Sequence, residues 1–597
     1  MAPSIAQRVL QRLPFSSSTT AVQALTYLLG ISLFSISFLV FLNSSVSFVI
    51  TDLIGVKEGV GDIVGTLGFV DEIVALIACP IWGLVSDRAG VRYVAVIGYA
   101  VIGLALFLFV QARNVYPQLL LARIFFAVGA TAAATMVTAI LPSLTDDTGP
   151  AAETARKPPR SARAARQSVA LSVDSEATIT PERFRDPSPD GTPEEDGLAG
   201  ENQQTKKGKP SALAGYVGLF TGCGALVALV LFLPLPARFG KIEGVTMGQA
   251  VQYSFYVVGA ISLVVAVFVS FGLRGIKGED GKGWRMLLGR RGSSPQGTGS
   301  HFAKNKVLPY WHLLQDSIRL GFRDTDIALG YLGGFVARAS TVAISLFVPL
   351  FVNEFFIGHG YCQGSPHDPS PELKKECRQA YVLASILTGV AQLVGLICAP
   401  LFGYLSARTG KINWPIIVAT TFGIIGYLVF PQLSSPEYKD VKGRGGSPAV
   451  FLLAALIGIS QIGAIVCSLG SLGHGVLKVD IVNVLTLPNG DQETLIATPD
   501  GADDTAPLLE NSRVLPEDTV SRVRLKGSVA GVYSWCGGAA ILLLTKLGGY
   551  LFDTWSTGAP FYLMAGFNGV LLLASVAIDI GRAAARRQVA SPGLGSL

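Results

Sequence analysis

Apolar runs of about 20 residues recur along the whole chain. They lie near 25–49, 61–84, 93–111, 118–143, 211–236, 251–273, 327–352, 379–402, 413–432, 448–473, 526–551 and 560–581. A helix of that length matches the hydrocarbon core of a bilayer. Strands of a membrane barrel alternate in and out over about 10 residues, and these runs do not. The pattern predicts an all-α membrane protein with twelve transmembrane helices. In lipid each such helix satisfies its own backbone polar groups. Arg8 and Arg12 precede the first run. That run is too long for the apolar part of a secretory signal, so it is expected to be retained.

The polar stretches set the organisation. Residues 1–24 are an N-terminal tail, and 25–144 hold helices one to four. Residues 145–210, rich in Ser, Pro, Glu and Arg, are expected to be a disordered insert. Helices five and six occupy 211–273, and a central loop follows at 274–326. Helices seven to ten occupy 327–475, a second polar insert 476–525, helices eleven and twelve 526–581, and a C-terminal tail 582–597. In the central loop Trp311, Leu314, Ile318 and Phe322 recur at helical spacing. That suggests an amphipathic helix, either lying on the membrane or packed on the bundle ends. Arg88, Arg92, Arg156 to Arg166, Arg274 to Lys306, and Arg582, Arg586 and Arg587 all fall on one side of this layout. The excess places both termini in the cytoplasm.

Composition narrows the class. Of 597 residues 15% are charged, and the mean hydropathy is +0.49. Soluble proteins carry about 25% charged residues, which excludes an ordinary soluble enzyme. The net charge of +6 fits basic loops at a membrane face and gives no sign of nucleic-acid binding. The five His show no ligand spacing. No zinc pattern, phosphate loop or nucleophile elbow is present. Neither catalysis nor a metal or cofactor is expected.

The chain also repeats itself. GLVSDRAGVR from Gly83 matches GYLSARTGKI from Gly403, AGYVGLFTG from Ala214 matches AGVYSWCGG from Ala530, and SFYVV from Ser254 matches PFYLM from Pro560. These pairs align helix two with eight, five with eleven and six with twelve. The twelve helices therefore form two six-helix bundles in pseudo-symmetric repeat.

The loop between helices two and three, with Gly83, Asp87, Arg88, Gly90 and Arg92, resembles the signature loop of the major facilitator superfamily. The second copy keeps Gly403, Arg408 and Gly410 but has Ala407 where the acid stood. The resemblance implies a transporter whose halves rock about a mid-membrane site. It implies that Asp87 faces the positive end of a helix in the other half and latches one side. The Ala407 copy then cannot. The other reading is that these residues merely turn a tight basic loop.

Charges at membrane depth cost about 2.5–3.5 kcal/mol on insertion scales and so point to function. Asp71 and Glu72 lie in helix two, Arg123 in helix four, Arg338 in helix seven. Asp71 with Arg123 reads either as an ion pair bracing the first half or as a proton-coupling carboxylate beside a cation, with Glu72 next in line. Arg123 resembles the fourth-helix arginine of drug–proton antiporters, although the usual Gly four positions on is Ala127. Helix five resembles the antiporter motif as well, but its proline is Cys223. Its glycines serve equally for close helix packing. Arg338 suits an anionic or carboxylate-bearing substrate, or pairs with Asp71 or Glu72 across the halves. Asn43 and Gln461 are polar candidates on other lining helices. Lys546 is expected to reach for the interface.

Cys362 and Cys377 share a non-cytoplasmic loop, where a disulfide is expected. Asp504, Leu508 and Leu509 resemble the acidic dileucine signal read by sorting adaptors, which favours the vacuolar membrane over the plasma membrane. The expected function is secondary active transport of small organic solutes, drug-like export foremost, by a proton-coupled monomer in the lipid bilayer. The alternative is a non-transporting sensor that keeps the fold and signals through its loops.

Overall fold

In the computed structural model the described residues are 13–56, 59–146, 194–277, 279, 282–283, 287, 310–359, 378–409, 413–439, 445–478 and 525–590. Twelve helices among them are long and apolar enough to cross a membrane. Spans 1 to 6 are Ala21–Ile54, Ile63–Ala89, Val91–Phe109, Val115–Thr145, Gly208–Phe239 and Met247–Gly272. Spans 7 to 12 are Thr325–Gly358, Val382–Arg408, Trp414–Gln432, Ala449–Leu477, Lys526–Thr554 and Ala559–Ala585. An even number of crossings puts both chain ends on one side, called here the terminal face.

Spans 1 and 7, the first helix of each half, contain 34 residues each. At 1.5 Å per residue that is about 50 Å, well beyond the apolar thickness of a bilayer. Both widen into π-type turns beyond their midpoints, at Val49–Ile54 and Ala343–Phe347. Such turns carry an extra residue and often mark functional regions. They follow Asn43 and Arg338 by about a turn and a half.

Lipid gives helices no hydrophobic reason to associate, so close approach of small residues holds them together. Spans 3 and 4 cross at Gly98 and Gly129, where a Cβ on Gly129 would meet the Gly98 carbonyl oxygen at 2.8 Å. Spans 3 and 6 cross at Gly103 and Gly259, with a carbonyl oxygen 2.9 Å from the Cβ position of Gly103. In the second half Gly463 of span 10 faces Ala419 of span 9 in the same way.

The halves meet along two seams built alike. A Cβ on Gly83 of span 2 would lie 2.5 Å from the Gly527 carbonyl oxygen and 3.0 Å from Gly531 Cα of span 11. A Cβ on Gly403 of span 8 would lie 2.6 Å from Gly215 Cα and 3.1 Å from the Ser211 carbonyl oxygen of span 5. Gly215 and Gly531 are the matched positions of the internal repeat, so one crossing is made twice. Pro80 and Pro400 each stand three residues before the crossing glycine inside their helices.

The seams differ in one respect. The helix of span 11 begins at Lys526, so its first N–H groups lie at the crossing. The helix of span 5 begins far earlier, at Glu194. Residues 194–210 were expected to end a disordered insert; they are helical instead. The stretch carries Glu, Gln and Lys, which favour helix, and it continues an existing span without a new nucleus.

The central loop carries a helix at Tyr310–Arg323. Its buried Ser317 and Gly321 sit against Tyr331 of span 7, whose hydroxyl donates to the Ser317 carbonyl at 3.1 Å. Trp311 and Phe322 stay 70% and 88% exposed. One face therefore packs on the bundle while the aromatic positions remain outside it.

Candidate functional site

At membrane depth the first half presents a fixed charge cluster. Arg123 is 3% exposed and forms an ion pair with Asp71. Its Nε donates to both carboxylate oxygens, at 2.9 and 2.8 Å, and its Nη2 donates to Asp71 as well. The same Nη2 donates to Asn43 Oδ1 at 2.5 Å. Three spans converge here: Asn43 from span 1, Asp71 from span 2 and Arg123 from span 4. Asp71 lies eight residues inside its span from the opposite face, about 12 Å by helical rise, and Arg123 lies eight residues inside span 4, past a kink at Tyr116. Arg123 Nη1 is buried without an acceptor among the described residues. Asn43 is exposed although it sits deep in its helix. An exposed amide hydrogen-bonded to a buried guanidinium marks the outer edge of the cluster.

Glu72 and Arg338 face this cluster from different halves. Both are half-buried. They interact electrostatically, but no ion pair or hydrogen bond joins them among the described residues. The stem of Arg338 rests where Gly537 of span 11 lacks a side chain, with Cγ 2.7 Å from the Cβ position. Gln461 of span 10 is buried and donates to Thr341 Oγ1 of span 7 at 3.0 Å. Its own Oε1 accepts from Gln392 of span 8 at 3.4 Å. Lys546 lies 4.2 Å from the ring centroid of Phe69, so it lies over an aromatic face of the other half.

On the terminal face Asp87 is buried and closes the span 2–11 seam. It accepts from the Gly527 N–H at 2.7 Å, the Ser528 N–H at 2.7 Å and the Ser528 hydroxyl. These are the free donors of a helix N-terminus, where a negative charge is favoured. At the other seam Ala407 packs on Gly208, whose Cβ position is 2.6 Å from the Ala407 carbonyl oxygen. Among the described residues no carboxylate stands there, and the adjoining helix runs on through the crossing, so its N–H groups are bonded within it.

A second layer covers the Asp87 seam. Lys526 is fully buried, forms an ion pair with Glu279 of the central loop at 2.5 Å and donates to the Ser143 hydroxyl of span 4 at 2.6 Å. Glu279 also accepts from the Val91 N–H at 2.8 Å and pairs with Lys282 at 3.2 Å. The Gly283 N–H donates to the Arg88 carbonyl at 3.0 Å. Burial alone would raise the Glu279 carboxyl, but Lys526, Lys282 and the Val91 N–H hold it below its ordinary range. Gly90 has φ +101°, and its Cβ position lies 2.6 Å from Glu279 Oε2. A side chain there would be strained and would push the carboxylate away.

The sequence had pointed to Asp87 and its helix end, to Asp71 with Arg123, and to Asn43 nearby. It had not pointed to Glu279, Lys282, Lys526 or Ser528. Lys526 reads as the ordinary flank of a span, and Glu279 lies in a glycine-rich loop. Arg408 lies over the Tyr404 ring at 4.6 Å, and Arg92 over the Tyr93 ring at 5.0 Å. Cys79, Cys223, Cys398, Cys467 and Cys536 are free thiols. Gly410, Cys362, Cys377, Asp504, Leu508 and Leu509 lie outside the described residues. Among the described residues no group of three or more His, Cys, Asp or Glu is placed to hold a metal.

Comparison with known proteins follows from this geometry. No curated protein matches the chain in sequence. The proton:xylose symporter XylE bound to 6-bromo-6-deoxy-D-glucose is similar in structure, with TM-score 0.50 and 11% identity over 92% of this chain and 94% of that one. The transporter FucP in the outward conformation is similar too, with TM-score 0.50 and 10% identity over 93% and 98%. At such identities the likeness concerns the fold. The sequence profile of the Major Facilitator Superfamily matches residues 33–150 and 204–478. With a match over most of its length, twelve spans in two repeats and Asp87 seated on a helix end of the other half, the chain belongs to the Major Facilitator Superfamily and is an integral, multi-pass membrane transporter.

Proposed function

We propose that the protein is a proton-coupled secondary transporter of small organic solutes that works by alternating access. The observation that carries this reading is the juxtaposition of a terminal face latched through Asp87 with half-buried charges from both halves at membrane depth. Only a group that changes protonation between two conformations links proton movement to solute movement. Asp71 is held by Arg123 and serves as a brace. Glu72 has no fixed partner and lies beside Arg338, so it is the better carrier of the proton. The excess of Lys and Arg on the terminal face makes that face cytoplasmic. Asp504, Leu508 and Leu509 then lie on the side where sorting adaptors act, which supports a vacuolar address.

The test is solute uptake into proteoliposomes under an imposed pH gradient. Gradient-driven accumulation is expected in the wild type. The Glu72→Gln protein should exchange solute downhill without accumulating it. Asp71→Asn should lower thermal stability instead, with coupling normal in the protein that remains. Full accumulation by Glu72→Gln would remove Glu72 as the carrier. No flux from folded wild type would leave the sensor reading.

A further inference from the structure

The charges at the centre balance one another with nothing bound. Asp71 and Arg123 cancel within one ion pair. Glu72 and Arg338 carry opposite charges but make no direct contact, one on each half: Arg338 lies against Gly537 of span 11, and the adjoining Gly538 faces Ala75 and Leu76 of span 2, one turn beyond Glu72. The charged groups facing Glu72 are Asp71 on its own helix, Arg123 on span 4 and Arg338 on span 7. The Arg338 guanidinium is the one among these whose charge no carboxylate contacts directly.

A solute must enter this arrangement without leaving a net charge in low dielectric. A planar carboxylate matches the donor fork of Arg338. Once it sits there, Arg338 no longer offsets Glu72, and two anions face each other. One proton on Glu72 restores the balance: Asp71 and Arg123 cancel, Arg338 and the bound carboxylate cancel, and Glu72 is neutral. A dianion would leave one negative charge over. A cation would face Arg338. A neutral solute would require no proton at all.

We infer that Glu72 and Arg338 form a two-part site for a small organic monoanion bearing a carboxylate, taken up together with one proton, so that the loaded site is electrically neutral. This rests on the transport reading above and gives it a substrate class. It also replaces the drug-like solute expected from the sequence with a smaller, acidic one.

The experiment uses the purified full chain with lactate, pyruvate and gluconate as probes. Thermal stabilisation by each acid is measured at pH 5.5 and 7.5, and proton uptake is followed in weakly buffered solution. At least one acid should bind the wild type more tightly at pH 5.5 than at pH 7.5, up to about a hundredfold for one linked proton, and should take up one proton per acid bound at pH 7.5. Arg338→Gln should lose the stabilisation at both pH values while its own melting temperature stays near that of the wild type. Glu72→Gln should bind the same acid equally at both pH values with no proton uptake. Binding without proton uptake by the wild type overturns the proposal, as does a lack of response to all three acids. Unchanged binding by Arg338→Gln also overturns it. Acids that bind with proton uptake yet never cross a liposome membrane would leave this site standing and sink the transport reading instead. Gradient-driven flux of a neutral solute alone would do the reverse.

Discussion

The two seams between the halves share one crossing and differ in what locks it. At both, a glycine from one half lies on the backbone of a glycine from the other: Gly83 on Gly531, and Gly403 on Gly215. At the span 2–11 seam a carboxylate takes three hydrogen bonds from a helix that starts there. At the span 5–8 seam the matched residue is Ala407, and the neighbouring helix runs on past the crossing to Glu194. Gene duplication explains the shared crossing. The helix start explains why a latch forms on one side alone, because only unbonded N–H groups attract a carboxylate strongly. The acid and its receptor are a matched pair, and neither works without the other.

The largest effect should come from the feature the seams share. Gly83→Val and Gly403→Val each place side-chain atoms where backbone already lies. Overpacking costs about 1–3 kcal/mol when the structure yields, and more when it does not. Both variants should raise thiol labelling on the terminal face or lower the melting temperature by several degrees. If one does so and its counterpart does not, the seams are not equivalent crossings.

The next effect tests the difference. Asp87→Asn removes a charged acceptor whose hydrogen bonds are worth about 1.5–3 kcal/mol. Labelling of cysteines behind the seam should rise roughly tenfold or more. The reciprocal change, Ala407→Asp, should not compensate, because the helix facing it has no free N–H. Rescue of Asp87→Asn by Ala407→Asp, read by the same labelling, would break the comparison.

These outcomes bear on what the sequence could disclose. Spans, crossing glycines and Asp87 were legible because each rests on local pattern: run length, small-residue spacing and a repeated loop. The Asp71–Arg123 pair was legible from depth, since two opposite charges at one level in lipid seek each other. Glu279 was not, because its partners Val91 and Lys526 are remote in sequence and its own neighbours are glycines and mixed charges. The absence of a latch at Ala407 was legible from the missing acid, but its second cause, the long helix of span 5, was hidden in a segment whose composition reads as disorder. The resting places of Glu72 and Arg338 depend on how two bundles meet, which no single helix encodes.

The smallest expected effect sharpens the picture of the second layer. Glu279→Gln keeps an acceptor for the Val91 N–H and loses the charge facing Lys526, for about 1 kcal/mol, or a few-fold more labelling. The sign with pH follows from its lowered pKa. Stabilisation from a lowered carboxyl is complete above the ordinary value of about 4.3 and fades as pH falls below it. Wild-type labelling, divided at each pH by that of a fully exposed cysteine to remove the change in thiolate fraction, should therefore rise below about pH 4. The variant should start higher, and the difference between the two curves should close in acid. A gap that widens on acidification would remove Glu279 from the clamp.

Glu279 lies on the one segment that joins the two halves, and a tandem protein has only one such segment. Fusion therefore gave the molecule something that two separate identical bundles would lack: a strap available to a single seam. A carrier bolted on one edge has no reason to part both edges in step. The span 5–8 edge, held by glycine contact without a carboxylate, is the one to yield first. The way out on the terminal side would then begin as a lateral cleft beside spans 5 and 8, with spans 2 and 11 acting as the hinge until their bolt is drawn.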